Sequence, residues 1–254
     1  MTEKALQKVG PTIDLPVLVD KEEVMEIMQE NFEGMDGQGI EFERIKVPSS
    51  GSLFWEITDE KGEVATTKEL KGILLDYHNV NAYWPLTEDD EKNVPPQCSS
   101  KDGKRGDGEP GGSCDACEFN QWQTDPKGGK GKACKNMRRI ALLQEGKILP
   151  VVISLPPTSK NNIDPYIVSL TSSMTRLTGV ETVMYLEKDK NDKGDEYSVV
   201  KFKPGTKLDK SEARALKQYA NQIKPHIRKV DIEAVDYNAT DEAAAASDPD
   251  NQAY

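Results

Sequence analysis

The stretch from Cys98 to Cys134 contains all four cysteines of the chain, in a glycine- and lysine-rich setting with very few aliphatic residues. Such a segment has too little apolar surface to offset the conformational entropy lost when its backbone is ordered. Something other than a hydrophobic core must organise it. In the knuckle Cys114-Asp115-Ala116-Cys117 the short spacer lets two sulfurs reach one ion, and Cys98 and Cys134 complete a tetrahedral four-thiolate set suited to Zn²⁺. A reducing compartment favours a metal over two disulfides, with an iron-sulfur cluster as the other metal reading. Four thiolates leave no open coordination position, so the expected site is structural rather than catalytic.

The remainder of the 254 residues suffices for one sizeable core carrying this insertion. No apolar run approaches a membrane span, and Met1 to Gly10 lacks the pattern of a signal peptide, so a cytoplasmic protein with no membrane partner is expected. The net charge of -11 is unevenly distributed. Asp20 to Glu43 carries -8 and Asp231 to Tyr254 carries -7, which leaves +4 for everything else. Lys127 to Arg139 holds six basic residues and no acids, so positive charge gathers beside the fourth cysteine.

Taken in order, Ile13 to Val19 reads as a short edge strand or extended arm broken by Pro16. Asp20 caps a helix of about three turns through Val24, Ile27, Met28 and Phe32. Glu41 to Val47 and Leu53 to Thr58 are predicted to pair as a hairpin across Pro48 to Gly51, followed by a strand from Leu70 to Trp84. After the insertion come strands at Arg138 to Leu143 and Ile148 to Leu155, then a helix started by Asp164-Pro165 and running towards Gly179. A hairpin joins Val180 to Lys188 with Tyr197 to Lys203, and an Asp209 capping box opens a helix through about Ile223. The expected fold is α+β, an antiparallel, OB-like β-barrel with flanking helices. It comprises one domain over residues 1–230, with 98–134 as an inserted zinc-binding subdomain and 231–254 as a disordered acidic tail.

No catalytic constellation emerges. His78 and His226 are the only histidines, and neither sits in a nucleophile arrangement. Gly128-Gly129-Lys130-Gly131-Lys132 lacks the frame of a phosphate-binding loop, and the acids fall in caps and charge runs. Binding chemistry remains. Lys127, Lys130, Lys132, Lys135, Arg138 and Arg139 form a basic stripe, with Phe119 and Trp122 in the same loop and Tyr77, Tyr83 and Trp84 on the strand leading into it. Rings on which bases stack, beside cations that pair with phosphates, suit a single-stranded nucleic acid. Core packing is the competing reading for Trp55 and Trp84, and simple solubility for the lysines. The acidic tail, with Asp248, Asp250 and the terminal Tyr254, would contact partner proteins.

The segments Asn81-Ala82-Tyr83-Trp84, Cys98-Ser99-Ser100, Cys114 to Cys117, Gly131 to Asn136, Leu149-Pro150 and Pro156-Pro157-Thr158-Ser159 resemble phage and prophage proteins encoded in replication modules. In general organisation the chain also resembles the zinc-containing single-stranded DNA-binding proteins of T-even phages, which combine an OB fold, a zinc subdomain and an acidic tail. It departs from them in having four cysteines where they use a histidine with three. The resemblance implies a non-catalytic single-stranded DNA-binding protein of phage replication or recombination, acting in the cytoplasm of an infected bacterium with replication or recombination proteins as partners. The alternative is a zinc-stabilised protein-interaction adaptor or inhibitor with acidic surfaces.

Overall fold

A 15-residue strand, Glu69–Tyr83, runs through the molecule and pairs with three others. The computed structural model describes residues 13–33, 40–48, 51–59, 61–85, 94–126, 130–191 and 194–237. In chain order its elements are α1 (Pro16–Val19), α2 (Lys21–Phe32), β1 (Trp55–Thr58), β2 (Val64–Thr67), β3 (Glu69–Tyr83), β4 (Cys98–Ser100), β5 (Arg105–Gly108), β6 (Gly112–Ser113), β7 (Lys135–Leu143), β8 (Val151–Leu155), α3 (Ile163–Ser172), β9 (Val180–Lys190), β10 (Glu196–Lys207) and α4 (Lys210–Ile227). β1 and β2 form a separate two-stranded hairpin. The other strands form one antiparallel sheet, in which β7 joins β3 to β8, β9 joins β3 to β10, and β4, β5 and β6 continue from the far end of β3.

The fold is thus mixed α+β with a mostly antiparallel sheet, but that sheet does not close into a barrel. β8 and β10 are the outer strands of its five-stranded part, β8-β7-β3-β9-β10. They approach through side chains: Ser159, just past β8, accepts from the Val200 amide at 3.0 Å, and Asn162 donates to the Val200 carbonyl at 2.9 Å. The five strands β8, β7, β3, β9 and β10 surround one core built from Leu70, Leu74, Ile140, Ile153, Met184 and Val200, with α3 and Trp55 packed into it. The opposite face of β3, β7 and β8 is covered by α1, α2 and α4, through Ile73, Leu75, Ala141, Leu143 and Val152 against Leu15, Val24, Leu216, Tyr219 and Ile223. Alternation along β3 sends Ile73 and Leu75 to one layer and Leu74 to the other, and a bulge at Leu75 shifts the register to β7 between Leu74 and Asp76. Gly72 allows β7 to come close, since a Cβ there would lie 2.4 Å from the Leu143 carbonyl oxygen.

Several sequence expectations change. Ile13 to Val19 is no strand: Pro16 occupies the first helical position of α1, where its fixed φ suits a helix and its missing N–H costs nothing. Glu41 to Val47 does not pair with the strand after it. It lies extended beside β8 instead, with Ile45 donating to Val152 and Val152 to Glu43, while Phe42, Ile45 and Val47 are buried as their alternation suggests. The hairpin partner of β1 is β2, across a turn in which Asp59 accepts from the Lys61 and Glu63 amides. α3 ends at Ser172, short of Gly179, and α4 continues through Pro225 to Ile227.

The C-terminal boundary also moves. Residues 231–237, expected to begin a disordered tail, pack onto the sheet: Ile232 and Tyr237 join Val80, Ala82 and Met137 in a small apolar cluster. Asp236 sits beside them, its carboxylate held by Arg44, Arg139 and Ser154. Arg139 is wholly buried and also donates to the carbonyls of Val230 and Asp231. Asp248, Asp250 and Tyr254 lie outside the described residues. No described helix is long and apolar enough to cross a membrane. Breaking a buried ion pair from one side leaves an uncompensated charge, at about 3–5 kcal/mol. A chain ended after Val230 should therefore be less stable than one ended after Tyr237 by about that amount in urea unfolding.

Candidate nucleic-acid interface and cysteine lobe

The distal half of β3 and the start of β7 extend past the two main cores and carry the cysteine lobe between them. β4 adds to β3 through the pairs Asn81 with Ser100 and Tyr83 with Cys98, and β5 adds to β4. Cys98 opens β4, Cys114 follows β6, Cys117 precedes a single turn at Glu118–Asn120, and Cys134 immediately precedes β7. Backbone bonds fix the knuckle, with Cys114 donating to Lys104, Cys117 to Cys114 and Cys134 to Phe119. Asn120 and Gln121 donate their side-chain amides to the carbonyls of Cys114, Asp115 and Cys117. All four cysteines line one small cavity, together with Tyr83, Phe119 and glycine backbone.

Four thiols are the donor types of a tetrahedral thiolate site for one soft cation. Burial, reinforced by the neighbouring Cys114, Cys117 and Cys98 thiols, pushes the Cys134 thiol up to about 12. Burial likewise raises Cys98, with Cys114 and Cys117 adding to it. Cys98 and Cys134, raised by burial and by the neighbouring thiols, do not become thiolates without a compensating positive charge beside them. As the side chains stand, no group of three or more His, Cys, Asp or Glu among the described residues could hold a metal ion. The thiols share a cavity without forming a ready-made ligand set. Gly106 is part of that geometry, because a Cβ there would lie 2.8 Å from Cys98 Sγ.

The aromatic and basic candidates divide into distinct environments. Tyr83 and Phe119, both half-buried, stack on each other at 4.4 Å within the lobe. Trp84 stacks on Tyr237 and donates from Nε1 to the Val94 carbonyl. Lys135 is buried, 3.9 Å from Asp125 and facing the Tyr237 ring, and Arg139 is buried against Asp236. Arg139 and Lys135 therefore do not belong to an exposed cationic stripe. Lys127 falls outside the described residues, and Lys130 is exposed.

Four of the candidates do come together on one face. Trp122 is 37% exposed, with the Lys132 ammonium 4.9 Å from its ring centre. Trp122, Lys132 and Asn136 border a single shallow depression with Pro157. Two residues further along β7, on the same side of the strand, Arg138 lies 5.7 Å over the Tyr77 ring and reaches Asp164 at 2.7 Å. Two cation–ring pairs thus follow one another along the edge of the lobe.

A second polar cluster on the other face of β3 was not legible as a site. Asp76 is held by both nitrogens of the Arg228 fork, by Lys224 and by His78. Burial works to raise its carboxyl, but the hydrogen bonds from His78 and Arg228 outweigh that and hold it well below the usual carboxylate range. Nothing in the local sequence at Asp76 announces α4, which is far away along the chain. Trp55, with 0% exposure, is a core residue.

No family model matches the chain, and neither a curated protein nor a solved structure matches it. The functional reading therefore rests on the geometry of the lobe. If the lobe holds zinc, the added Cβ of Gly106→Ala should displace Cys98 Sγ and weaken zinc binding in competition with a chromogenic chelator, with the far-ultraviolet circular dichroism unchanged.

Proposed function

We propose that the protein binds single-stranded DNA without catalysing a reaction on it, in phage replication or recombination. The observation that carries this reading is the pair of cation–aromatic contacts, Lys132 on Trp122 and Arg138 on Tyr77, on one face beside the cysteine lobe. Base–ring stacking contributes about 1–3 kcal/mol per base, and adjacent cations compensate the phosphates, so sequence-tolerant binding follows from few residues. Phosphate would compete with Asp164, which is half exposed, for Arg138, whose side chain is 14% exposed.

Connectivity supports the same reading. The strand order β8-β7-β3-β9-β10, with α3 between β8 and β9, is the order an OB-type Greek key would have if left open between β8 and β10, and it supports that reading. In such folds ligands meet the loop between the first two strands and the final hairpin. The cysteine lobe is inserted between β3 and β7, in the first of those positions. Cys98, Cys114, Cys117 and Cys134 would hold Zn²⁺, and the ion would contribute structure rather than reactivity, with no vacant position for water or substrate. Partner proteins of replication or recombination would be met through the acidic residues beyond Tyr237, in the bacterial cytoplasm.

Trp122 is the most exposed of the three tryptophans, so intrinsic fluorescence should report strand binding directly. Titration with oligo-dT should quench it, with log K falling against log salt by about 0.7 per phosphate contacted. Trp122→Ala should lose about 1–3 kcal/mol of affinity. Trp122→Phe should lose the quenching while retaining most of the binding. Affinity that ignores salt, or equal affinity for duplex, would contradict the proposal.

A further inference from the structure

Two short arms, one bearing Trp122 and the other Lys132, lead into Cys134 and β7. Gln123 donates to the Lys130 carbonyl at 3.1 Å and Asp125 to the Gly131 carbonyl at 3.2 Å, which ties the arms to each other. At their base the Thr124 hydroxyl accepts from the Ala133 amide at 3.0 Å and donates to the Gln121 carbonyl at 2.7 Å. All these bonds lie within the lobe. Packing adds little, because Trp122 is the only large apolar side chain between Gln121 and Lys132 and is itself 37% exposed.

Lys135 ties the arms to the sheet. It opens β7 and is 5% exposed, and its ammonium donates to the Lys132 carbonyl at 3.3 Å and lies 3.9 Å from the Asp125 carboxylate. One side chain therefore touches both arms. An ammonium taken out of water needs acceptors to offset its lost hydration, so the acceptors are held as firmly as the cation.

The ammonium is held in turn from the segment that follows α4. It lies 6.0 Å from the centre of the Tyr237 ring, and that ring stacks on Trp84 at 5.8 Å. A ring face attracts a cation, more strongly where water is excluded. Tyr237 is itself fixed, because it is buried with Ile232 against Val80, Ala82 and Met137, and the preceding Asp236 accepts from Arg139 and Ser154. A continuous chain of contacts thus runs from Asp236 through Tyr237 and Lys135 to the arms that bear Trp122 and Lys132.

We propose that Lys135 and Tyr237 are positioning residues for the Trp122 surface. They set the two arms in place before a strand arrives, and they do so from behind. Lys135 alternates along β7 with Asn136 and Arg138, so it points away from the face on which Arg138 meets Tyr77. Arms ordered in advance need not be ordered at binding, and the saving appears as affinity. The effect on strand binding rests on the function proposed above, whereas the ordering of the arms does not.

The test uses the full chain, whose three tryptophans give three indole ¹H–¹⁵N signals, with Trp122 identified by its loss in Trp122→Phe. Lys135→Met/Asp125→Asn removes both charges of the buried pair, so no carboxylate is left uncompensated. Tyr237→Leu removes the ring and keeps an apolar side chain. In the free protein both variants should lower the heteronuclear NOE of the Trp122 indole, while the Trp55 signal and the metal content stay as in the unaltered protein. Oligo-dT affinity should fall about tenfold, the cost of ordering two side chains at binding instead of beforehand. Tyr237→Phe keeps the ring and should match the unaltered protein in both readouts. Should Tyr237→Leu fail to fold, the double variant decides alone. If the unaltered protein binds no oligo-dT while the Trp122 indole still loosens in the variants, the arms are held as proposed and strand binding is what fails. An unchanged Trp122 signal in the double variant, undiminished affinity despite loosened arms, or Tyr237→Phe as disruptive as Tyr237→Leu would overturn the assignment.

Discussion

The backbone ladder between β3 and β7 carries everything that lies outside the two main cores. Nine residue pairs join the strands, from Ile73 with Leu143 to Ala82 with Lys135. The first of these pairs are buried between helices, and the last hold the two ends of the cysteine lobe. A segment with almost no aliphatic residues can be ordered only if its ends are fixed and its interior is cross-linked by something other than packing. The ladder fixes the ends. The four thiols around one cavity, with the knuckle bonds and the Tyr83–Phe119 stack, supply the interior.

Strand alternation explains how the basic stripe divides. Arg138 and Arg139 are adjacent in sequence and so point to opposite faces of β7. One lies over Tyr77 near solvent, and the other is buried beneath the chain that follows α4. The same rule separates Lys135 from Asn136. Half of a basic run on a strand must face inward, and a charge that faces inward needs a partner. Asp236 is that partner for Arg139, which explains why acidic residues 231–237 belong to the domain.

Elements with strong local signals were legible: the Asp20 and Asp209 caps, the Asp164-Pro165 helix start, the β9–β10 hairpin and the long apolar run of β3. What was not legible depended on distant partners. Residues 41–47 read as a strand by alternation, yet their hydrogen-bond partner is Val152. The partner of β1 was missed because β2, Val64–Thr67, carries a single aliphatic side chain larger than alanine and is largely solvent-facing. Of the candidate site, the four cysteines were visible from spacing alone. The cluster around Asp76, His78 and Arg228 joins β3 to α4 across more than half the chain and has no local signature.

In the function we propose, a metal-bound lobe positions Trp122, Lys132 and Arg138 for a single strand. The most direct measurement is the oligo-dT affinity of Cys117→Ser beside its zinc content and its far-ultraviolet circular dichroism. Zinc and strand binding should be lost together while the β-sheet signal remains, because the ladder and both main cores do not involve Cys117. Undiminished oligo-dT affinity in a zinc-free protein would contradict it.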